Sequence, residues 1–187
     1  MKIVALLGSP RQEGNSAALA QAFLDTCKSR GASVEAYRLN QMSYQGCQAC
    51  MSCKTKTEAC ILKDDMTPVY EAINGADVLV LASPVYFGDF SGQLKTAFDR
   101  FYAYLDANFG CRLPAGKQSV FILTQGMADE EQFKDIFPRY EMFMKWLGVQ
   151  KNHLIRACGV QEPGAVKNRP EAMQEAVDTA KKVRGAG

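Results

Sequence analysis

Short continuous runs of apolar residues alternate along this chain with longer stretches in which apolar positions recur every three or four residues. The first run, IVALL at residues 3–7, stops at Gly8, and an unbroken run of that length suits a strand buried on both faces. Residues 16–30 carry Leu19, Ala20, Phe23 and Leu24 on one stripe, which predicts an amphipathic helix with Gly31 as its C-cap. Residues 33–39 alternate like a second strand, and a short helix is expected over 66–73 after a cysteine-rich stretch. ADVLVLA at 76–82 is the clearest strand of all. Beyond it the pattern predicts a helix over 91–105, a strand over 118–124, a long helix over 129–147 and a fifth strand over 149–156. A last helix is expected over 170–184, with Pro170 near its first turn.

Five strands alternating with helices imply an α/β three-layer sandwich, a parallel sheet with helices on both faces. In the flavodoxin-like strand order 2-1-3-4-5, the ligand crevice lies beyond the C-terminal ends of strands 1 and 3. No internal repeat, low-complexity segment or splitting linker interrupts the pattern, so residues 1–187 are read as a single domain.

Composition narrows the classes of function. An apolar fraction of 47% supplies a core, and 22 basic against 20 acidic side chains give a net charge of +2. No Lys/Arg stripe stands out to neutralise a run of phosphates, which argues against a nucleic-acid partner. The cluster Lys181, Lys182 and Arg184 suits the end of the last helix, where cations complement the helix dipole. The apolar run at the N-terminus is too short for a signal peptide, and no stretch approaches the roughly 18 apolar residues of a membrane span. A cytoplasmic protein is the expectation. Its seven cysteines would then be reduced thiols, metal ligands or redox groups.

Two loops fall at the same edge of the expected sheet. Gly8-Ser9-Pro10-Arg11-Gln12-Glu13-Gly14-Asn15-Ser16 joins the first strand to a helix. It offers hydroxyls, an amide, a guanidinium and the free N–H groups of a helix N-terminus, the makings of a phosphate cradle. Its spacing fits neither G-x-G-x-x-G nor a P-loop, nor the G-x-S-x-G of a hydrolase. The alternative is a plain polar loop in which Asn15 or Ser16 caps the helix. The second loop, Ala82-Ser83-Pro84-Val85-Tyr86-Phe87-Gly88, is aromatic and ends on glycine. A phosphate cradle facing an aromatic turn would embrace a flat ring attached to a phosphate; the aromatics could equally be core anchors. Lys95, Asp99 and Arg100 read as helix-surface charges that fix a turn. Phe98, Phe101, Tyr102 and Tyr104 spread over more than one helix face, as a subunit interface would require.

Cys47, Cys50, Cys53 and Cys60 form C-x2-C-x2-C-x6-C. Soft thiolates concentrated in one loop suit an iron–sulfur cluster or zinc. Zinc ribbons use two separated pairs, and the ferredoxin run has a shorter last gap followed by proline. Cluster, zinc and free thiols all stay open. Cys27, Cys111 and Cys158 are scattered and read as ordinary thiols, and His153, the single histidine, as structural.

GSPRQEGNS resembles the G-S-x-R-x-x-x-N-S phosphate loop of the NADPH-dependent FMN reductase family, which includes the iron–sulfur flavoproteins. SPVYFGDFSGQLKTAFDR resembles that family's S-P-x-Y signature ending in L-K-x-x-x-D-R. The cysteine motif followed by Asp64, Asp65 and Met66 is similar to that of the iron–sulfur flavoproteins. This resemblance implies FMN as cofactor, with Ser9, Arg11, Asn15 and Ser16 on its phosphate. It implies Pro84, Val85, Tyr86, Phe87 and Gly88 against the isoalloxazine, with a looser contribution from Thr124, Gln125 and Gly126. It also implies a [4Fe-4S] cluster on the four cysteines, and assembly as a homodimer or homotetramer.

The leading expectation is therefore an FMN-dependent oxidoreductase. NAD(P)H would deliver hydride to the flavin, which would reduce a quinone, a nitro or azo compound, a free flavin or an iron centre. The flavin carries the chemistry, and no side chain is expected to act as nucleophile or general base. The second expectation is an iron–sulfur electron carrier serving a redox protein such as a ferredoxin. A flavin- or zinc-binding regulatory module is the third.

Overall fold

The structure, a computed structural model, describes residues 1–183. Its strands are β1 (Lys2–Leu7), β2 (Ser33–Arg38), β3 (Val78–Tyr86), β4 (Asp89–Phe90), β5 (Gln118–Thr124) and β6 (Lys151–Ala157). Its helices are α1 (Asn15–Ser29), the single turn α2 (Ser52–Thr55), α3 (Met66–Asn74), α4 (Gly92–Asp99), α5 (Ile136–Trp146) and α6 (Pro170–Lys182). Five strands pair in parallel in the order β2-β1-β3-β5-β6, and β4 adds a short antiparallel hairpin to the end of β3. The parallel sheet thus has the expected flavodoxin-like order, and β4 is a sixth strand beyond it.

Alternation along β1 explains its continuous apolar run. Ile3 and Ala5 point into the core under α1 and α6, while Val4 and Leu6 point into the opposite core under α3, α4 and α5. Phe23 of α1 is fully buried in the first of these cores, where truncation to alanine costs about 3–5 kcal/mol. The end of α1 follows the expected cap. Gly31 at φ +84 lets its N–H reach the Lys28 carbonyl (2.9 Å) and the Ala32 N–H reach that of Cys27 (3.1 Å), a Schellman closure.

Three predicted elements need correction. β3 does not stop at 82 but continues through Pro84 and Val85 to Tyr86, because β4 folds back on it. The helix expected over 91–105 ends at Asp99 and tightens into a 3-10 turn over Arg100–Tyr104. Residues 129–135 are not helical. The Asp129 carboxylate accepts the Glu131 N–H (2.9 Å), Phe133 takes φ +61, and helix starts only at Ile136. Among the described residues no helix is long and apolar enough to cross a membrane. Lys181 and Lys182 close α6; Arg184 lies outside the described residues.

Candidate functional site

The loop after β1 is built by close approach. Gly8 donates its N–H to the Ala82 carbonyl of β3 (2.8 Å), and its own carbonyl accepts from Ser91 Oγ (2.8 Å). A Cβ on Gly8 would stand 2.7 Å from both Leu94 Cβ and Ser91 Oγ, so only glycine fits. Ser9 Oγ donates to the Arg11 carbonyl (3.1 Å) and accepts the Arg11 N–H (3.2 Å), which rounds the loop. A Cβ on Gly14 would fall 2.3 Å from that hydroxyl. Gly14 is the N-cap of α1 and supplies no side-chain cap, so the first amides of the helix are left to an anion.

Capping by Asn15 or Ser16 is thereby corrected, since both lie inside the helix. Asn15 Nδ2 donates to the carbonyls of Val160 and Glu162 (2.9 Å each), and its Oδ1 accepts the Val166 N–H (3.0 Å). Its side chain thus fastens the segment after β6. Ser16 is buried in the same turn, whereas Arg11 is exposed and donates to the Gln161 carbonyl (3.2 Å).

The second loop is a hairpin tip. Phe87 (φ +50) and Gly88 (φ +88) turn the chain between Tyr86 and its partner Asp89, and positive φ at both central residues is the type I′ geometry that matches strand twist. Phe87 is fully exposed and Tyr86 half so, while Pro84 and Val85 are partly buried. Behind the tip, Ser83 Oγ accepts the Ser91 N–H (2.9 Å), and Ser91 Oγ caps α4 by accepting from Leu94 (3.3 Å). Two buried serines therefore lock this hairpin to the Gly8 turn. Asp89 accepts from the Tyr140 hydroxyl (2.7 Å), whose proton is held well above its usual range by burial and by that carboxylate.

The third segment follows β5. Gln125 is buried; its Nε2 donates to the carbonyls of Met127 (3.2 Å) and Asp129 (3.0 Å), and its Oε1 accepts from Arg156 (2.7 Å). Gln125 therefore shapes the loop from within. Thr124 is buried in register with Pro84 and Ala157, and Gly126 lies against Gln161. In-register strand ends bring all three segments to one sheet edge, with residues 160–162 joining them. The donors around the first loop fit a phosphate, and the exposed aromatic tip fits a flat ring beside it. Nothing in the sequence singled out residues 160–162, because their part is played by backbone carbonyls.

Beyond this edge lies the cysteine loop. Cys47, Cys50, Cys53 and Cys60 line one small concavity with Ile61, Arg100 and Tyr102. Ala49 and Met51 both take positive φ and so bracket Cys50. Hydrogen bonds from Ser52 hold the exposed Cys50 thiol below its usual range. Among the described residues no three Cys, His, Asp or Glu side chains converge to hold a single ion. Four soft donors around one hollow, with no carboxylate in its lining, are a set that an iron–sulfur cluster or zinc takes.

The loop is held from below. Asp65 accepts the Ser43 N–H (2.6 Å), and Asp64 accepts those of Gln45 (3.2 Å) and Met66 (3.1 Å), which zips its two ends together. Arg112 Nη1 donates to the Cys53 carbonyl (2.7 Å), and Lys54 Nζ donates to those of Tyr102 and Leu105. Arg100, expected on the surface, has a fully buried side chain bound to Asp64 (2.7 Å). Lys95 and Asp99 do pair on the exposed face. Phe98, Phe101 and Tyr104 are also buried, stacked among Phe90, Tyr70 and Tyr140. They belong to the core. The apolar surface nearby is a groove of ≈ 330 Å³ bearing the exposed Phe109 and Trp146. Of the remaining thiols, burial pushes Cys27 up to about 11. His153 sits in β6 beside the Gln118 side chain (3.2 Å).

The family profile of NADPH-dependent FMN reductase matches residues 1–145. An iron–sulfur flavoprotein of Methanosarcina thermophila is 34% identical over 116 residues, 62% of this chain and 60% of that protein. One from Methanocaldococcus jannaschii is 41% identical over 108 residues, 58% of this chain and 54% of its own length. The chain thus spans little more than half the length of the curated relatives it matches. Among solved structures, an NAD(P)H:quinone oxidoreductase from Methanothermobacter marburgensis superposes with a TM-score of 0.78 at 21% identity, covering 97% of this chain and 96% of that one. An FMN-dependent NADH-azoreductase from Bacillus anthracis, solved with FMN, gives 0.69 at 17% identity, covering 97% and 99%. At such identities these two establish a shared fold.

Proposed function

Since the chain belongs to the NADPH-dependent FMN reductase family, we propose that it is an FMN-dependent oxidoreductase that uses NAD(P)H to reduce a small-molecule or redox-protein acceptor. The observation that carries this reading is the meeting of the phosphate loop, the aromatic hairpin and the 124–126 segment at one sheet edge. Ser9, Arg11 and the first amides of α1 would hold the FMN phosphate. Asn15 and Ser16 would position that turn from inside the helix. Pro84, Val85, Tyr86, Phe87 and Gly88 would face the ring from one side, and Thr124, Gln125 and Gly126 from the other. Bound FMN supplies hydride and electron transfer between NAD(P)H and an acceptor such as a quinone, an azo or nitro compound or a free flavin. The chain's own part is to bind, orient and exclude water; the Tyr140 hydroxyl keeps its proton and fixes Asp89 behind the hairpin.

The four cysteines on one concavity favour a second reading, an iron–sulfur flavoprotein in which Cys47, Cys50, Cys53 and Cys60 hold a [4Fe-4S] cluster. Such a cluster supplies one-electron exchange with a partner such as a ferredoxin. Reduced thiols of this kind suit the cytoplasm. The groove with Phe109 and Trp146 is the surface best suited to subunit contact in a homodimer or homotetramer.

The experiment is an absorption spectrum of protein purified without oxygen, with iron and sulfide assays and NAD(P)H oxidation on the same sample. Flavin bands with rapid NAD(P)H turnover support the reductase. Flavin bands with about four irons per chain and slow NAD(P)H oxidation support the electron carrier. Failure to take up added FMN would overturn both.

A further inference from the structure

Three cations stand around the cysteine hollow, and they differ in what offsets them. Arg100 lines it, and its charge is met by Asp64 (2.7 Å). Lys54, which follows Cys53, and Arg112 are both half-buried. Among the described residues neither takes part in a salt bridge. Their hydrogen bonds go to carbonyls. Lys54 Nζ donates to those of Tyr102 and Leu105, and Arg112 Nη1 to those of Cys53 (2.7 Å), Ala103 (3.3 Å) and Leu105 (3.2 Å). The two cations therefore meet on one oxygen, that of Leu105.

Like charges held this close, partly out of water, repel unless an anion offsets both. Carbonyl dipoles solvate the pair but remove no charge. Asp106, beside Leu105, is spent elsewhere. Its Oδ1 accepts the N–H groups of Asn108 (2.7 Å) and Gly110 (2.8 Å), and it forms a salt bridge with neither cation. Glu58, which shares a cavity wall with Arg112, forms none either. What the pair does adjoin is the cysteine loop. Lys54 Nζ sits 3.8 Å from the centroid of the Tyr102 ring, and Tyr102 and Ala103 line the hollow with the four cysteines. Arg112 holds the backbone of Cys53 itself. Four thiolates outweigh the positive charge of an iron–sulfur core, so a centre bound here is anionic, and one-electron reduction adds a further negative charge. Net charge around a cluster is one of the levers on its potential.

We propose that Lys54 and Arg112 are the counter-charges of a [4Fe-4S] cluster on Cys47, Cys50, Cys53 and Cys60, and that they raise its reduction potential. Neither is a ligand; both act on the cluster through charge. This rests on the iron–sulfur reading of the four cysteines, and its test needs no turnover.

Protein purified without oxygen is titrated reductively and followed by electron paramagnetic resonance of the reduced cluster, with iron, sulfide and zinc assayed on each sample. Lys54→Gln and Arg112→Gln keep a donor for the carbonyls but drop the charge. Each should lower the cluster's potential by at least about 59 mV, a tenfold loss in the one-electron reduction equilibrium, at wild-type iron content. Lys54→Arg and Arg112→Lys, which keep the charge, should titrate with the wild type. Asp106→Asn should move the potential upward, because Oδ1 still accepts both N–H groups and only a negative charge is lost. A pair that merely staples the loop would not give shifts of opposite sign. Unchanged potentials in both Gln variants would overturn the proposal and leave the iron–sulfur reading standing. Should the Gln variants lose their iron, Asp106→Asn decides, and no upward shift overturns the proposal. Zinc in the wild type, or no metal, would overturn the proposal and the iron–sulfur reading together.

Discussion

Arg100 Nη1 lies 2.7 Å from Asp64 Oδ2, with the two residues 36 positions apart in the chain and the arginine side chain wholly out of solvent. Nη2 reaches the other carboxylate oxygen (3.2 Å), Nη1 also donates to the Gln45 carbonyl (2.8 Å), and Nε donates to the Tyr70 hydroxyl (3.1 Å). The pair ties the turn after α4 to both ends of the cysteine loop. Breaking such a pair strands a buried charge, which costs more than the pair itself contributes. Arg100→Ala should therefore destabilise the protein by about 3–5 kcal/mol in urea unfolding. Replacing both partners with apolar residues of similar volume should cost much less. Equal losses in the single and double variants would show that the pair is not a unit.

The same carboxylate should make stability depend on acid. Burial opposes ionisation of Asp64, but hydrogen bonds from Arg100, Gln45 and Met66 outweigh it and hold its carboxyl below the usual range. A depressed folded value contributes stability that is complete above the unfolded value of about 3.9. That contribution drains away as pH falls through the folded value. Unfolding free energies of wild type and Asp64→Asn should converge as pH drops below about 4. Curves that stay parallel would show that Asp64 does not titrate with folding.

Arg100 also marks how far the sequence could be read. The strand order and the edge where the loops meet followed from apolar runs and turn residues, because those signals are local. Arg100 looked like a helix-surface charge since its partner is distant and the helix tightens just where it begins. Residues 129–135 read as the start of the long helix expected over 129–147. Their conformation is set by an aspartate turn and by Arg156, which donates to the carbonyls of Glu130 (2.8 Å) and Gln132. Asn15 was legible as important but not in its role, since the carbonyls it holds lie some 145 residues away.

Two glycines of the phosphate loop should separate stability from binding. Gly8→Ala drives a methyl into Leu94 and Ser91, and overpacking of that kind costs about 1–3 kcal/mol, visible in thermal unfolding. Gly14 has an ordinary φ of −66, so alanine there strains no backbone and instead pushes Ser9 off its hydrogen bonds to Arg11. Gly14→Ala should leave stability within about 1 kcal/mol and weaken FMN at least tenfold. Wild-type FMN affinity in Gly14→Ala would remove Ser9 and its turn from the phosphate site.

For the cysteine loop, Cys50→Ser should abolish bound iron while leaving the flavin site filled, because Cys50 touches the concavity and none of the three flavin segments. In iron-free protein, Cys50 should be alkylated by iodoacetamide well before Cys27. The first is exposed with its thiol lowered, and the second is buried with its thiol raised to about 11. Peptide mapping of a short labelling time course decides it; equal rates would mean that Ser52 does not activate Cys50.

Phe87 poses a different question. It holds φ +50 while its side chain stands fully in solvent. Burial therefore does nothing to offset an unfavourable backbone, and a type I′ turn would be better served by asparagine before Gly88. Strained residues that gain nothing from packing cluster where ligands bind. If Phe87 is kept for contact with the flavin or with whatever docks against it, Phe87→Asn should stabilise the protein by about 1 kcal/mol. The same variant should bind FMN or the acceptor less tightly. Phe87→Tyr, which keeps the ring, should match the wild type on both counts. A more stable Phe87→Asn with unaltered FMN affinity and acceptor KM would leave the aromatic tip without a ligand to serve, and the ring contact would then fall to Tyr86 and Pro84.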